Sequence, residues 1–233
     1  MDTKDESLRN AIAKTIYDTQ VESAVAAVEA TRFSASGMHE LFSRLLRESE
    51  TAQILIFYSY LDDRIQNLIT SSLFHLDSKR RIENVFGING PLSTFSSRVL
   101  LAFHLGWLQP TTKQKLDAFR KLRNAFAHNA FRISTKDKEI AALLEMISMG
   151  LKAMFENSAI GKDGIYDFSR LDSLLGNLSY LAFTTFHDLL VLPAARAFRV
   201  APGDVSQNYD KGPKIVQELR LSFADTILVV MKG

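Results

Sequence analysis

Apolar residues recur along this chain at three- and four-residue intervals almost from end to end, which is the spacing of helices that each bury one face. Leu8, Ile12, Ile16, Val21 and Val25 predict a first helix, or a pair of helices, over residues 8–30, broken at Gly37. Met38, Leu41, Leu45 and Leu46 predict a second helix over 38–48. Residues 51–76 carry Ile54, Tyr58, Leu61, Ile65, Leu68 and Ser72 in register and read as a long core helix, with Asp62 and Asp63 in its middle and Lys79-Arg80-Arg81 past its end as a charge cluster favourable to a helix C-terminus. Gly87-Ile88-Asn89-Gly90-Pro91-Leu92-Ser93 is a loop of turn formers. Ser93 caps a helix from Thr94 to Leu105, which Gly106 ends.

Pro110-Thr111-Thr112 restarts the chain into a helix over 113–131. A further helix over 137–157 is set by Ile140, Leu143, Leu144, Ile147 and Leu151, and a turn follows at Gly161–Gly164. Residues 168–192 and 212–231 complete a helical tail, with Pro193, Pro202-Gly203 and Gly212-Pro213 marking the loop between its halves. Ile227–Met231 suits a strand by residue type, but Leu219, Phe223, Ile227 and Val230 keep helical spacing. There is no internal repeat and no evenly punctuated strand-rich region. The expected class is all-α: an N-terminal helical segment (1–36), a helical-bundle core (37–158) and a C-terminal helical extension (159–233) packed on the same domain.

Composition agrees with that picture. With 46% hydrophobic residues and only 5 prolines among 233 residues, a sizeable ordered core is expected. The absence of cysteine excludes disulfides, thiolate zinc sites and a cysteine nucleophile, and suits a reducing cytoplasm. The polar, acidic start is not a secretory signal, and Leu178–Phe198, interrupted by His187, Asp188, Pro193 and Arg196, reads as a buried helix and turn rather than a membrane span. A net charge of +2 does not announce nucleic-acid binding, so any such binding must come from local clustering.

The clustering is found at residues 123–128, Arg-Asn-Ala-Phe-Ala-His. Stepping 100° per residue, Leu116, Phe119, Leu122, Phe126, Ala130 and Ile133 form the core face of this helix, and Lys113, Asp117, Arg120, Lys121, Asn124 and His128 the opposite one. Arg123 lies at the border, and Lys115 adds local charge. Such a face attracts phosphates. Asn124 and His128, four apart, share a face, whereas Arg123 and His128 are about 140° apart around the axis. A second copy of the helix facing the first would bring them together.

Arg123 can hold an anionic phosphate, His128 carries an imidazole of the kind that moves protons in general acid–base catalysis, and Asn124 can orient either. No metal and no other cofactor is required. The same residues also permit a structural network, in which Asp62 or Asp63 needs a cation if buried and Arg123 or Arg98 supplies it. His104 and His187 sit among apolar residues as core or interface histidines, while His39 and His75 lie near helix ends. Ser93, Thr94, Ser96 and Ser97 serve capping and packing, and Gly87-Ile88-Asn89-Gly90 lacks the Lys-Ser/Thr of a phosphate loop.

Gly90-Pro91-Leu92-Ser93-Thr94-Phe95-Ser96-Ser97-Arg98-Val99, then Leu105-Gly106-Trp107-Leu108, then Asp117 and Arg120-Lys121-Leu122-Arg123-Asn124-Ala125-Phe126-Ala127-His128, resembles the mannitol-operon-repressor (MtlR-like) family over roughly residues 40–155. That family runs Gly-Pro-Leu-Ser-Thr-Phe-Ser-x-Arg-Ile, a helix ending Leu-Gly-Leu-Ile, and Ile-Arg-x-Ile-Arg-Asn-x-Phe-Ala-His. Trp107 and Phe119 depart mildly from it, and residues 160–233 extend beyond it. The last hexapeptide also resembles the Arg-polar-x-x-x-His signature of HEPN helical bundles. The HEPN resemblance implies a homodimer whose paired motifs line one cleft, and a metal-independent endoribonuclease or RNA-binding module using Arg123, Asn124 and His128. The repressor resemblance implies instead a transcriptional regulator without a DNA-binding motif, acting through a protein partner.

Overall fold

The computed structural model describes residues 3–31, 33–35, 37–73, 78–129, 133–151, 154, 171–206 and 213–232. In chain order the helices are α1 (Thr3–Glu29), α2 (Met38–Leu45), α3 (Glu50–Ser72), α4 (Lys79–Phe86), α5 (Phe95–His104), α6 (Pro110–Asn129), α7 (Lys138–Ser148), α8 (Leu174–Phe198), α9 (Pro202–Ser206) and α10 (Lys214–Lys232). No strand occurs among the described residues, Ile227–Met231 included. The protein is an all-α bundle.

α8 is the central helix, contacting α1, α2, α3, α6, α7, α9 and α10. Its length and apolarity would also suit a membrane span, but most of that surface is buried within the bundle. Burial on several sides explains why its sequence is apolar nearly all round, instead of on one stripe. Pro193 does not end it: the helix runs on to Phe198, where Arg199 takes a left-handed conformation. Proline costs a hydrogen bond and a steric adjustment, but Val191, Ala194 and Ala195 around it are buried, and their packing offsets that cost.

The core is joined by aromatic contacts that cross helices. Phe57 of α3 meets Phe42 of α2 at 5.7 Å and Phe119 of α6 at 5.4 Å, both edge-on. Tyr60 of α3 and Phe33 reach Phe186 of α8 at 6.1 and 5.1 Å. Phe119 is fully buried, so Phe119→Ala would cost about 3–5 kcal/mol.

Local signals place the helix ends. Ser49, Ser78 and Ser173 cap α3, α4 and α8 by accepting from Ala52, Arg81 and Gly176 N–H at 3.3, 3.4 and 3.2 Å. α5 is capped by Thr94, not Ser93, in a reciprocal capping box with Ser97. α6 begins at Pro110, three residues earlier than its hydrophobic pattern suggests, because proline suits the first helical position, where its missing N–H is no loss. Lys79-Arg80-Arg81 opens α4 instead of trailing α3, so these exposed cations sit at the helix end that disfavours them. α1 is one continuous helix, and Ile12 and Ile16 on its first half are more than half exposed. α7 stops at Ser148, before Gly150 at φ 94°; the Gly161–Gly164 turn and most of the remainder of the expected 137–157 helix lie outside the described residues. The end of α8 and α9 occupy the stretch read as a loop, and α10 begins within the helix expected over 212–231.

Candidate functional site

α6 divides as its periodicity requires. Leu116, Phe119, Leu122 and Phe126 are buried, Lys121 and His128 are exposed, and Asp117, Arg120, Arg123 and Asn124 are half-buried between them. Ala130 lies outside the described residues. α6 packs on α3 and α5, so its border residues look onto Tyr58, Asp62 and Arg98.

Asp62 is engaged by Arg98, whose Nη1 donates to Asp62 Oδ1 at 2.5 Å. Arg98 is buried, its Nε and Nη2 donate to the carbonyls of Leu92 and Ser93 at 2.8 and 3.3 Å, and its guanidinium lies 5.6 Å from the Phe86 ring. One side chain thereby ties α5 to α3 and to the loop before it. Asp63 faces elsewhere: it is exposed and accepts from Asn67 Nδ2 at 3.2 Å. The two aspartates therefore do not act as a pair.

Arg123 is not the cation that neutralises Asp62. Its guanidinium lies over the Tyr58 ring at 4.8 Å, and its Nη1 donates to Asn124 Oδ1 at 3.2 Å. Tyr58 also packs against Phe95 at 4.9 Å and Phe119 at 5.9 Å, which fixes the platform. Burial raises the Tyr58 phenol above its ordinary pKa and Asp62 raises it further, while Arg123, Arg98 and Arg120 oppose the rise. Three guanidinium groups and one carboxylate thus share the surroundings of one phenol. The Nε atoms of Arg120 and Arg123 are buried without a hydrogen-bond partner, and among the described residues neither side chain has an ion-pair partner.

Asp117, the acid on the polar face, is held by Lys113 at 2.7 Å, an i, i+4 pair that leaves Arg120 and Lys121 unneutralised by it. His128 is exposed in the last turn of α6, one turn beyond Asn124. The structure therefore brings Arg120, Arg123, Asn124 and Tyr58 together, with Lys121 and His128 on the solvent side. It places Asp62 and Arg98 behind them and leaves Asp63 and Asp117 outside the group. No trio of His, Asp or Glu among the described residues could hold a metal.

Lys115 does not contribute charge to this face. It is buried, with Nζ 3.9 Å from the centre of the Tyr180 ring of α8. Burial pushes its ammonium down to about 8, against the pull of Asp188. Asp188 is itself buried and accepts from the Gln109 N–H at 2.9 Å, with His187 Nδ1 4.0 Å away. A polar link between α8 and the start of α6 results. The signal was present in the helical wheel, since Lys115, Phe119, Leu122 and Phe126 follow the spacing 4, 3, 4 of a single face. Tyr58 gave no comparable signal, because its position read only as core. His104 is exposed, contrary to a core role, His187 is half-buried, and His75 lies outside the described residues.

No protein-family model, curated protein or solved structure matches this chain.

Proposed function

We propose that the exposed face of α6 binds RNA through its phosphates, with Arg123 and Arg120 as the anchoring cations, Lys121 as an outer contact and His128 beside the bound strand. The observation that carries this reading is that Asp62 is occupied by Arg98, which leaves the Arg123 guanidinium held on Tyr58 with no acid among the described residues to neutralise it. A cation fixed in place yet unpaired loses little entropy on meeting a phosphate. The resemblance to HEPN bundles points the same way.

On that surface a metal-independent cleavage is chemically complete when two copies face each other. One His128 removes the proton of a 2′-hydroxyl as its oxygen attacks the adjacent phosphorus. The second His128, protonated, gives its proton to the departing 5′-oxygen, and a 2′,3′-cyclic phosphate and a 5′-hydroxyl remain. Arg123 balances the added charge on the phosphate. The alternative is a non-enzymatic regulator of the mannitol-repressor type that uses the same face for a protein partner. It is favoured by His128, which among the described residues has no side-chain hydrogen-bond partner to fix its orientation, as a catalytic imidazole usually has.

The deciding experiment incubates the protein with single-stranded RNA in EDTA. Cyclic-phosphate ends that disappear in His128→Ala, with melting temperature unchanged, support cleavage. Retained RNA binding without cleavage restricts the role to binding, and no binding at low salt removes the RNA reading in favour of the protein partner. A cytoplasmic homodimer is the form proposed, and a monomer at micromolar concentration would exclude the two-histidine route.

A further inference from the structure

Arg120 and Arg123 stand three residues apart on α6, which puts their Cβ atoms about 5–6 Å from each other on neighbouring turns. Arg123 lies over the Tyr58 ring at 4.8 Å, and Arg120 acts with it on the same phenol, both opposing the rise that burial imposes on its pKa. The Nε atoms of both arginines are buried without a hydrogen-bond partner. The inner edge of each guanidinium therefore rests against the protein, and the Nη edge is the one a ligand meets. On Arg123 that edge is steered by Asn124, whose Oδ1 accepts from Nη1 at 3.2 Å. The nearby acids are matched one to one, Asp62 by Arg98 at 2.5 Å and Asp117 by Lys113 at 2.7 Å. Among the described residues, Arg120 and Arg123 thus leave two positive charges at one spot without an acid. Both are planar forks of the kind that grip phosphate oxygens in pairs.

Phosphates differ in what they bring to such a spot. A linkage inside a strand carries one negative charge, and its free oxygens satisfy one fork in full. A phosphate monoester carries about 1.5–2 negative charges at pH 7 and has three acceptor oxygens, enough to serve two forks at once. Two adjacent guanidiniums on one surface therefore fit the monoester in charge and in oxygen count. A linkage gains charge as it becomes pentacovalent during cleavage, so the pair suits that state as well as a strand end.

We propose that Arg120 and Arg123 together form a site for a phosphate monoester at the end of an RNA strand, with the rest of the strand passing Lys121 and His128 on the solvent side. This inference rests on the RNA reading of α6 and names the phosphate that the pair holds most tightly.

The test displaces a labelled RNA from the full chain with unlabelled 2′-O-methyl hexanucleotides of one sequence, which cannot be cleaved, in EDTA at constant salt. They carry a 5′-phosphate, a 3′-phosphate, or hydroxyls at both ends. A phosphate-ended strand is expected to bind about tenfold more tightly than the hydroxyl-ended one, the gain of one or more charge-assisted hydrogen bonds. The end that gives the gain is the one seated on the pair. Inorganic phosphate should reduce that advantage by competing for the same site. Arg120→Lys and Arg123→Lys keep the charge and lose the fork, so each should remove most of the gain. Lys121→Gln should weaken all three strands alike and keep it. Equal binding of phosphate-ended and hydroxyl-ended strands overturns this inference and leaves the RNA reading standing, as does a gain undiminished in both lysine variants, which is then an effect of charge alone. Binding of none of the three strands overturns the RNA reading and this inference with it.

Discussion

Asp62 and Arg98 hold each other across the contact of α3 with α5, with Nη1 and Oδ1 2.5 Å apart. Arg98 also binds two loop carbonyls, so the arginine serves as a fastener and the aspartate as its anchor. A buried guanidinium with three acceptors has little reason to exchange partners. Arg123 is consequently left on the Tyr58 ring, at the border where α6 turns from core to solvent. Two arginines with similar sequence settings thus acquire different tasks, one in packing and one facing outward.

Removing Arg98 should be costly. Arg98→Ala strands Asp62, whose side chain is 27% exposed, and frees the carbonyls of Leu92 and Ser93. A loss of about 3 kcal/mol is expected in urea unfolding at neutral pH. Arg123→Ala removes one cation–π contact and one weak hydrogen bond and should cost about 1 kcal/mol. A larger loss for Arg123→Ala than for Arg98→Ala would show that the two roles are exchanged.

RNA affinity should rank the residues the other way. If Arg120, Arg123 and Lys121 each meet a phosphate, replacing any one by Gln lowers the slope of log affinity against log salt by about 0.7, the value for single strands. Lys113→Gln should change it least, since Lys113 is paired with Asp117. Fluorescence anisotropy with a labelled oligoribonucleotide over a range of salt measures these slopes. Identical slopes for all variants would remove the phosphate contacts from α6.

Lys115 should give the protein an alkaline gain in stability. Its pKa is near 10.5 in the unfolded chain and about 8 in the fold, so between those values the unfolded chain binds more protons. Stability therefore rises with pH from about 8 toward 10.5, and the gain is lost as pH falls through the folded value. Its upper bound is roughly 3 kcal/mol, from 1.36 kcal/mol per unit. Tyr58, Tyr60 and Tyr180 have raised values in the fold and work in the opposite sense above about pH 10. A maximum near pH 10 is expected in urea midpoints, and Lys115→Met should abolish the rise while stabilising the protein at pH 7. A flat wild-type profile between pH 8 and 10 would contradict the buried ammonium.

Much of this arrangement can be read from the chain. Helical periodicity assigns the all-α class, and the same wheel separates the buried Leu116, Phe119, Leu122 and Phe126 from the exposed Lys121 and His128. Lys115 reads as surface charge by residue type, but its position on the wheel is among the core residues, and it is buried. Pro193 marks a loop by residue type, but burial around it offsets the lost hydrogen bond and the helix continues. For Asp62 the chain narrows the partner to Arg98 or Arg123 but does not choose between them. Whether Arg98 or Arg123 reaches it depends on how α5 and α6 cross α3, and sequence spacing carries no information about crossing.

Gly106 links that crossing to a testable backbone feature. It sits at φ 69°, and its N–H and that of Trp107 bond the carbonyls of Phe103 and Ala102, both at 2.8 Å, which is the double bond of a Schellman ending for α5. Arg196 of α8 folds over it: a Cβ added at Gly106 would lie 2.1 Å from the Arg196 guanidinium carbon. Gly106→Ala must therefore strain the left-handed turn and also displace the arginine from the Gly106 carbonyl, costing about 2 kcal/mol. Arg196→Ala alone, at an exposed side chain, should cost about 0.5–1 kcal/mol. In the double variant the arginine contact can be lost only once, so the combined cost should fall short of the sum by about 0.5 kcal/mol or more. Thermal and urea unfolding of the four proteins close the cycle. Full additivity would mean that Arg196 does not cover the turn that leads into α6.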